Sequence, residues 1–207
     1  NIYTVTGGGA YCAGGRGVHI GLSNSDIGTS YQLYNGTTAI GSALAGTGAA
    51  LDFGAQALAG TYTVVGTISA CSSNMTGSAV IVINPLPTQF TVTGGGSYCL
   101  GGTGVHIGLS NSDMGIDYQL YVGTTAVGTP MAGTGAALDF GLQTTAGTYT
   151  VVANNTTTGC VNNMTGSVVI TINALPTAYT VTGGGPICAG GAGLHIYLSG
   201  SQAGVTY

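Results

Sequence analysis

Residues 4–15, TVTGGGAYCAGG, return in closely similar form at 91–102 and again at 180–191. Cys12 recurs as Cys99 and Cys188, at intervals of 87 and 89 residues, and His19 recurs as His106 and His195 at the same intervals. GTGAALDFG stands unchanged at 46–54 and 133–141, AGTYTVV at 59–65 and 146–152, and NMTGS at 74–78 and 163–167. A chain that repeats itself in this way solves one packing problem and reuses the solution. Its units are 1–87, 88–176 and 177–207, the last an incomplete repeat. The two-residue difference in spacing falls between Val152 and Cys160, so a loop is expected just before the second cysteine of each unit. NPLPTQF (84–90) and NALPTAY (173–179) join the units. Proline in so short a joint favours an extended, fairly stiff link, and a row of such units reads as a rod.

Composition narrows what each unit can be. Only 3% of the residues are charged; Lys, Glu and Trp are absent, and Arg16 is the one strong base. Losing Lys and Glu removes two good helix formers, whereas abundant Thr, Val, Ile and Tyr suit strands. With 40 Gly to make turns, the chain reads as all-β. Disorder is excluded, because 44% apolar residues can bury a core. No apolar run approaches the ~18 residues of a membrane helix, and twelve evenly spread Tyr do not form the two girdles of an outer-membrane barrel. A net charge of −4 without basic stripes argues against nucleic acid. So little charge also leaves little repulsion between molecules, which suits a protein that is assembled, anchored or glycosylated. The chain opens at Asn1 without a signal-peptide pattern, as expected of a mature or excised segment.

Within a unit, short runs alternate apolar and polar residues. YTVT (3–6), VHIGL (18–22), YQLY (31–34), weaker runs at 38–40 and 50–53, TYTVV (61–65) and AVIVI (79–83) make seven expected strands. That number in under 90 residues, with regular turns, predicts an immunoglobulin-like β-sandwich. The ordered set C-x-G-G, VHIGL, YQLY-x-G, AGTYTV, C and SAVIVIN-P resembles the Ig-like repeats of secreted Bacteroidota surface proteins, such as adhesins and gliding-associated proteins exported by the type IX system. The resemblance spans 12–84, 99–173 and the fragment from Cys188. Those repeats often carry Trp in the third strand, where this chain has Leu33 and Leu120. What the resemblance implies is extracellular or cell-surface display, adhesion or structure, and no catalysis.

Five cysteines in such a chain invite pairing. Each complete unit holds an early and a late cysteine, and the favoured pairs are intra-unit, Cys12 with Cys71 and Cys99 with Cys160; Cys188 would find its partner outside 1–207. A closed loop of about 60 residues contributes roughly 4 kcal/mol in the chain-entropy account. Sandwich topology leaves a competitor open. The early corner and the late hairpin lie at opposite ends, so Cys12 would reach Cys160 of the next unit. Free thiols are the third reading.

Other candidate chemistry is thin. A phosphate loop needs Lys, and a Rossmann loop leads into a helix, whereas the glycines here lead into another strand. They read as a corner between two sheets. His19, His106 and His195 fall on an outward strand face, one per unit at an expected spacing of about 35–45 Å, and read as solvated. Asp26 and Asp113 read as turn-capping residues in SNSD. Asn74 and Asn163 are matched glycosylation sequons, with Asn35, Asn154 and Asn155 unmatched. No cofactor, metal or catalytic set is expected. The sequence therefore points to a non-catalytic extracellular structural protein, self-associating into a rod, stalk or filament, with attached glycans among its expected partners. The alternative is an adhesin that recognises glycans or host proteins through its loop ends. The third unit is expected either to continue in the same chain or to be completed by a neighbouring one.

Overall fold

In the computed structural model, which describes residues 1–207, every regular element is a β-strand. The first unit comprises β1 (Val5–Gly7), β2 (Gly9–Cys12), β3 (Val18–Leu22), β4 (Ser30–Asn35), β5 (Thr38–Ala45), β6 (Leu51–Gln56), β7 (Gly60–Ile68), β8 (Cys71–Asn74) and β9 (Ala79–Asn84). One sheet runs β1-β3-β6; the other runs β2-β9-β7-β4-β5, with β8 extending along β7. The second unit repeats this order. Its strands are β10 (Val92–Gly94), β11 (Gly96–Cys99), β12 (Val105–Leu109), β13 (Ile116–Val122), β14 (Thr125–Ala132), β15 (Leu138–Gln143), β16 (Gly147–Asn155), β17 (Val161–Asn163) and β18 (Val168–Asn173). Two facing sheets, with the opening segment shared between them, make each unit an immunoglobulin-like sandwich. The seven expected runs are all strands. β2 and β8 are additional, too short and too glycine- or serine-rich to show alternation.

The glycine corner does what the sequence suggests. β1 pairs antiparallel with β3 in one sheet, and β2 pairs parallel with β9 in the other. Gly7, Gly8 and Gly9 carry the crossing at φ of +89°, +78° and +134°. A Cβ on Gly7 would collide with the His19 carbonyl, and one on Gly8 would crowd the Val80 backbone. Only glycine supplies both the left-handed conformation and the close approach.

The period-2 pattern then fills the space between the sheets. Ile20 and Leu22 of β3 face Tyr31 and Leu33 of β4, Tyr62 and Val64 of β7, and Ile81 of β9, all fully buried. Ile107, Leu109, Tyr118, Leu120, Tyr149, Val151 and Ile170 repeat the core. Each such side chain contributes about 1.5–3 kcal/mol by leaving water. Leu33 and Leu120 are fully buried in the absence of any Trp, and tyrosines supply the remaining bulk. The tyrosine hydroxyls are satisfied: Tyr62 donates to the Leu58 carbonyl (2.8 Å) and Tyr149 to the Thr145 carbonyl (2.8 Å). Tyr31 and Tyr118 accept from the Asp26 and Asp113 amides, each at 2.9 Å. Burial raises the pKa of Tyr118 and Tyr149 above the ordinary phenol value.

The third unit has only β19 (Val181–Gly183) and β20 (Ile196–Leu198), an antiparallel hairpin equivalent to the first pair of each sandwich. No second sheet lies against it within 1–207. The corner at Cys188 consequently has no strand to pair with.

Candidate functional site

The site that organises the molecule is the joint between units. β2 delivers Cys12 beside Asn84, the last residue of β9, and the Ala13 amide donates to the Asn84 carbonyl (2.9 Å). The link that follows is tied to the second unit. The Asn162 amide donates to the Pro87 carbonyl (2.8 Å), and the Gln89 amide donates to the Asn163 carbonyl (2.9 Å). Asn162 and Asn163 lie on β17, on the hairpin whose turn carries Cys160. A disulfide joins Cys12 to Cys160 with Cα atoms 5.5 Å apart, within the usual range for such bonds.

This corrects the favoured intra-unit pairing. Neither Cys12–Cys71 nor Cys99–Cys160 forms; Cys71, Cys99 and Cys188 are free and exposed. The reason is the topology. Cys12 lies beside the last residue of β9, whereas Cys71 opens β8 at the far end of the same strand path. At about 3.3 Å per residue that path spans roughly 40 Å. A disulfide spans about 4.4–6.8 Å between Cα atoms. The bond can close only with the hairpin of the next unit. Units 1 and 2 are thus held by two covalent tethers, the peptide link and the disulfide, where a single link would act as a hinge.

The outward histidines are exposed as expected, but they are not alone. His19 Nδ1 lies 2.8 Å from an Asp52 carboxylate oxygen, and His106 Nδ1 lies 2.8 Å from Asp139. These Asp residues reside on β6 and β15, the neighbours of β3 and β12. The Gly54 amide and then His19 hold Asp52 below the usual carboxylate range. For Asp139 the larger cause is His106, followed by the Gly141 amide. Sequence reasoning missed both aspartates, although they recur with the same 87-residue interval as the histidines. His195 has no such partner and lies against Tyr197, ring centroids 5.7 Å apart.

The SNSD segment holds a second surprise. Its buried member is serine. Ser25 donates to the Ala49 carbonyl (2.6 Å) and accepts from the Thr47 amide (2.9 Å), and Ser112 repeats this with Ala136 and Thr134. Asp26 does not cap its own turn with its side chain. Its carboxylate accepts from the Tyr3 hydroxyl (2.6 Å) and from Asn1, and these bonds, Tyr3 first, lower its pKa. In the second unit Phe90 replaces Tyr3, and Asp113 has no such tether.

The matched sequons Asn74 and Asn163 are exposed beside the late hairpin. Of the unmatched ones, Asn35 donates its amide to the Ala59 carbonyl, Asn155 accepts from the Thr157 and Thr158 amides, and Asn154 is exposed on β16. The surface depressions are open and shallow. The largest, about 320 Å³, lies between Asp117, Tyr121, Pro130 and Val161.

No protein-family profile matches the sequence, and no curated protein matches it. Among solved structures the chain is similar to the fibronectin(III)-like modules of CbhA from Clostridium thermocellum, with 16% identity and a TM-score of 0.43, covering 83% of this chain and 95% of that one. It is also similar to an I-band fragment of titin, at 13% identity and a TM-score of 0.48, covering 97% and 76%. Murine CEACAM1b is a third, at 13% and 0.40, covering 83% and 100%. Such likenesses speak of neither ligand nor activity. The strand order itself defines the class: a tandem of immunoglobulin-like sandwiches.

Proposed function

We propose that the chain is an extracellular structural protein whose Ig-like units are coupled end to end into a stiff rod, stalk or filament. The observation that carries this reading is the Cys12–Cys160 bond, which crosses the joint instead of reinforcing either core. A bond of this kind persists in an oxidising compartment. It adds a second tether at the point where a tandem array bends. Near-verbatim outer faces support the same reading, since equal faces allow equal contacts to recur along an assembly. The resemblance to secreted Bacteroidota surface repeats is in keeping with it. Glycans at Asn74 and Asn163, which are exposed and equivalent in the two units, would shield a surface almost free of charge.

Small-angle scattering on the oxidised protein and on its Cys12→Ser variant tests the coupling. The oxidised protein is expected to give the narrower distribution of inter-unit distances, and the variant a broader one with the same sandwich content by circular dichroism. Equal distributions would remove the mechanical role. Electron micrographs of native material should show filaments or stalks.

A further inference from the structure

The disulfide between units 1 and 2 uses one cysteine from each, and the two left over occupy the same stations. Cys99 ends β11 opposite Asn173 as Cys12 ends β2 opposite Asn84. The Leu100 amide donates to the Asn173 carbonyl at 2.8 Å, as Ala13 does to Asn84 at 2.9 Å. The Gly102 amide donates to the Cys99 carbonyl at 2.9 Å, as Gly15 does to Cys12. From Asn84 to β10 and from Asn173 to β19 the chain counts the same number of residues, and both links carry Leu-Pro-Thr. Cys71 likewise pairs across its hairpin with Ile68. Cys160 lies opposite Asn155, the equivalent of Ile68, with the Asn155 amide donating to the Cys160 carbonyl (2.9 Å). The two late cysteines therefore sit at one register. Two differences remain: the turn before Cys160 is two residues longer (156–159 against 69–70), and Cys160 is fully buried at its joint whereas Cys71 is exposed.

We propose that Cys71 is the late half of a further joint bond and takes the early, C-x-G-G cysteine of another Ig-like unit of this repeat stacked on its end. A second copy of this chain offers two such cysteines, Cys99 and Cys188. The rule is polar: early cysteine to late cysteine, never early to early or late to late. Copies stacked head to tail become one covalent cable with one disulfide per joint. This rests on the end-to-end reading above and adds its direction and its intermolecular bond.

The chemistry needs an oxidant, and a small disulfide such as oxidised glutathione suffices. The Cys71 thiolate attacks one glutathione sulfur and expels a glutathione thiolate. The early cysteine's thiolate then attacks Cys71 in the mixed disulfide and expels the second. Two protein thiols lose two protons and two electrons, and one glutathione disulfide becomes two thiols.

The test incubates concentrated full chain in a glutathione redox buffer and maps cross-linked peptides without reduction. The expected result is an intact Cys12–Cys160 peptide, with new intermolecular bonds from Cys71 to Cys99 or Cys188. A ladder of multimers should disappear in Cys71→Ser, while circular dichroism and the Cys12–Cys160 peptide stay unchanged. Cys71–Cys71 bonds, early-to-early bonds in comparable yield, or a protein that stays monomeric would overturn the rule. Absence of Cys12–Cys160 itself would instead remove the end-to-end reading on which the rule stands.

Discussion

Units 2 and 3 place the same opening strands in two different settings. Val92, Ile107 and Leu109 of unit 2 have Val181, Ile196 and Leu198 as counterparts, in hairpins of the same register. Ile107 is fully buried, whereas Ile196 is 72% exposed. Local sequence therefore suffices for the hairpin and for the glycine corner, and burial comes only with the facing sheet. A sandwich divides its work in this way: turn chemistry shapes each strand pair, and the second sheet supplies the hydrophobic free energy.

Core truncation should separate the two settings most sharply. Ile107→Ala removes a fully buried side chain and is expected to destabilise unit 2 by about 2–5 kcal/mol. Ile196→Ala should stay within about 0.5 kcal/mol. Urea titration with hydrogen exchange read at the amides of the mutated unit, β12 for Ile107→Ala and β19–β20 for Ile196→Ala, distinguishes them. A large cost for Ile196→Ala would show that the third hairpin is covered in solution and would break the comparison.

The glycine corner gives a smaller contrast. Gly94 and Gly183 share a positive φ, +91° and +95°, and each faces a histidine carbonyl, that of His106 or His195. Gly94→Ala strains a corner that must place β10 and β11 in different sheets, so it should cost unit 2 about 1–3 kcal/mol. Gly183→Ala strains only a hairpin. It should leave the unfolding midpoint of unit 2 where it was, measured by the same titration.

The parts legible in sequence were those governed by local periodicity or by repetition. Alternation located the core faces of β3 and β4 and marked β7 and β9 as strands, and three glycines after a β-branched run located the corner. The disulfide pairing depended on a quantity that spacing does not contain, namely which end of a sandwich each cysteine occupies. Cys12 and Cys71 are close enough in sequence to suggest a loop, yet a strand's length holds them apart, while Cys160 arrives through the joint. Asp52 and Asp139 were overlooked for a related reason. A strand's neighbour in the sheet is set by topology, and β3 lies beside β6 with two intervening strands in the other sheet. SNSD was read only for a turn-capping Asp26, and the burial of Ser25 beside it is set by packing, since the short hydroxyl fits where it both donates and accepts.

The histidine–aspartate pairs should have the smallest effect, and its sign can be fixed. Asp139 titrates below its ordinary value of 3.8 in the folded protein, chiefly because of His106. A lowered carboxylate pKa contributes stability that is present above 3.8 and lost as pH falls below that value through the folded-state pKa. The partners are about 60% exposed, so the contribution is screened to a few tenths of a kcal/mol. Urea midpoints at pH 7 and near pH 3 should therefore fall slightly more for the wild type than for Asp139→Asn. An effect above about 1 kcal/mol would mean that the pair is shielded from solvent, which within a single chain it is not. That outcome would point to a neighbouring molecule covering the outer face of β12 and β15, and repeating the titration at high dilution would then restore the small value.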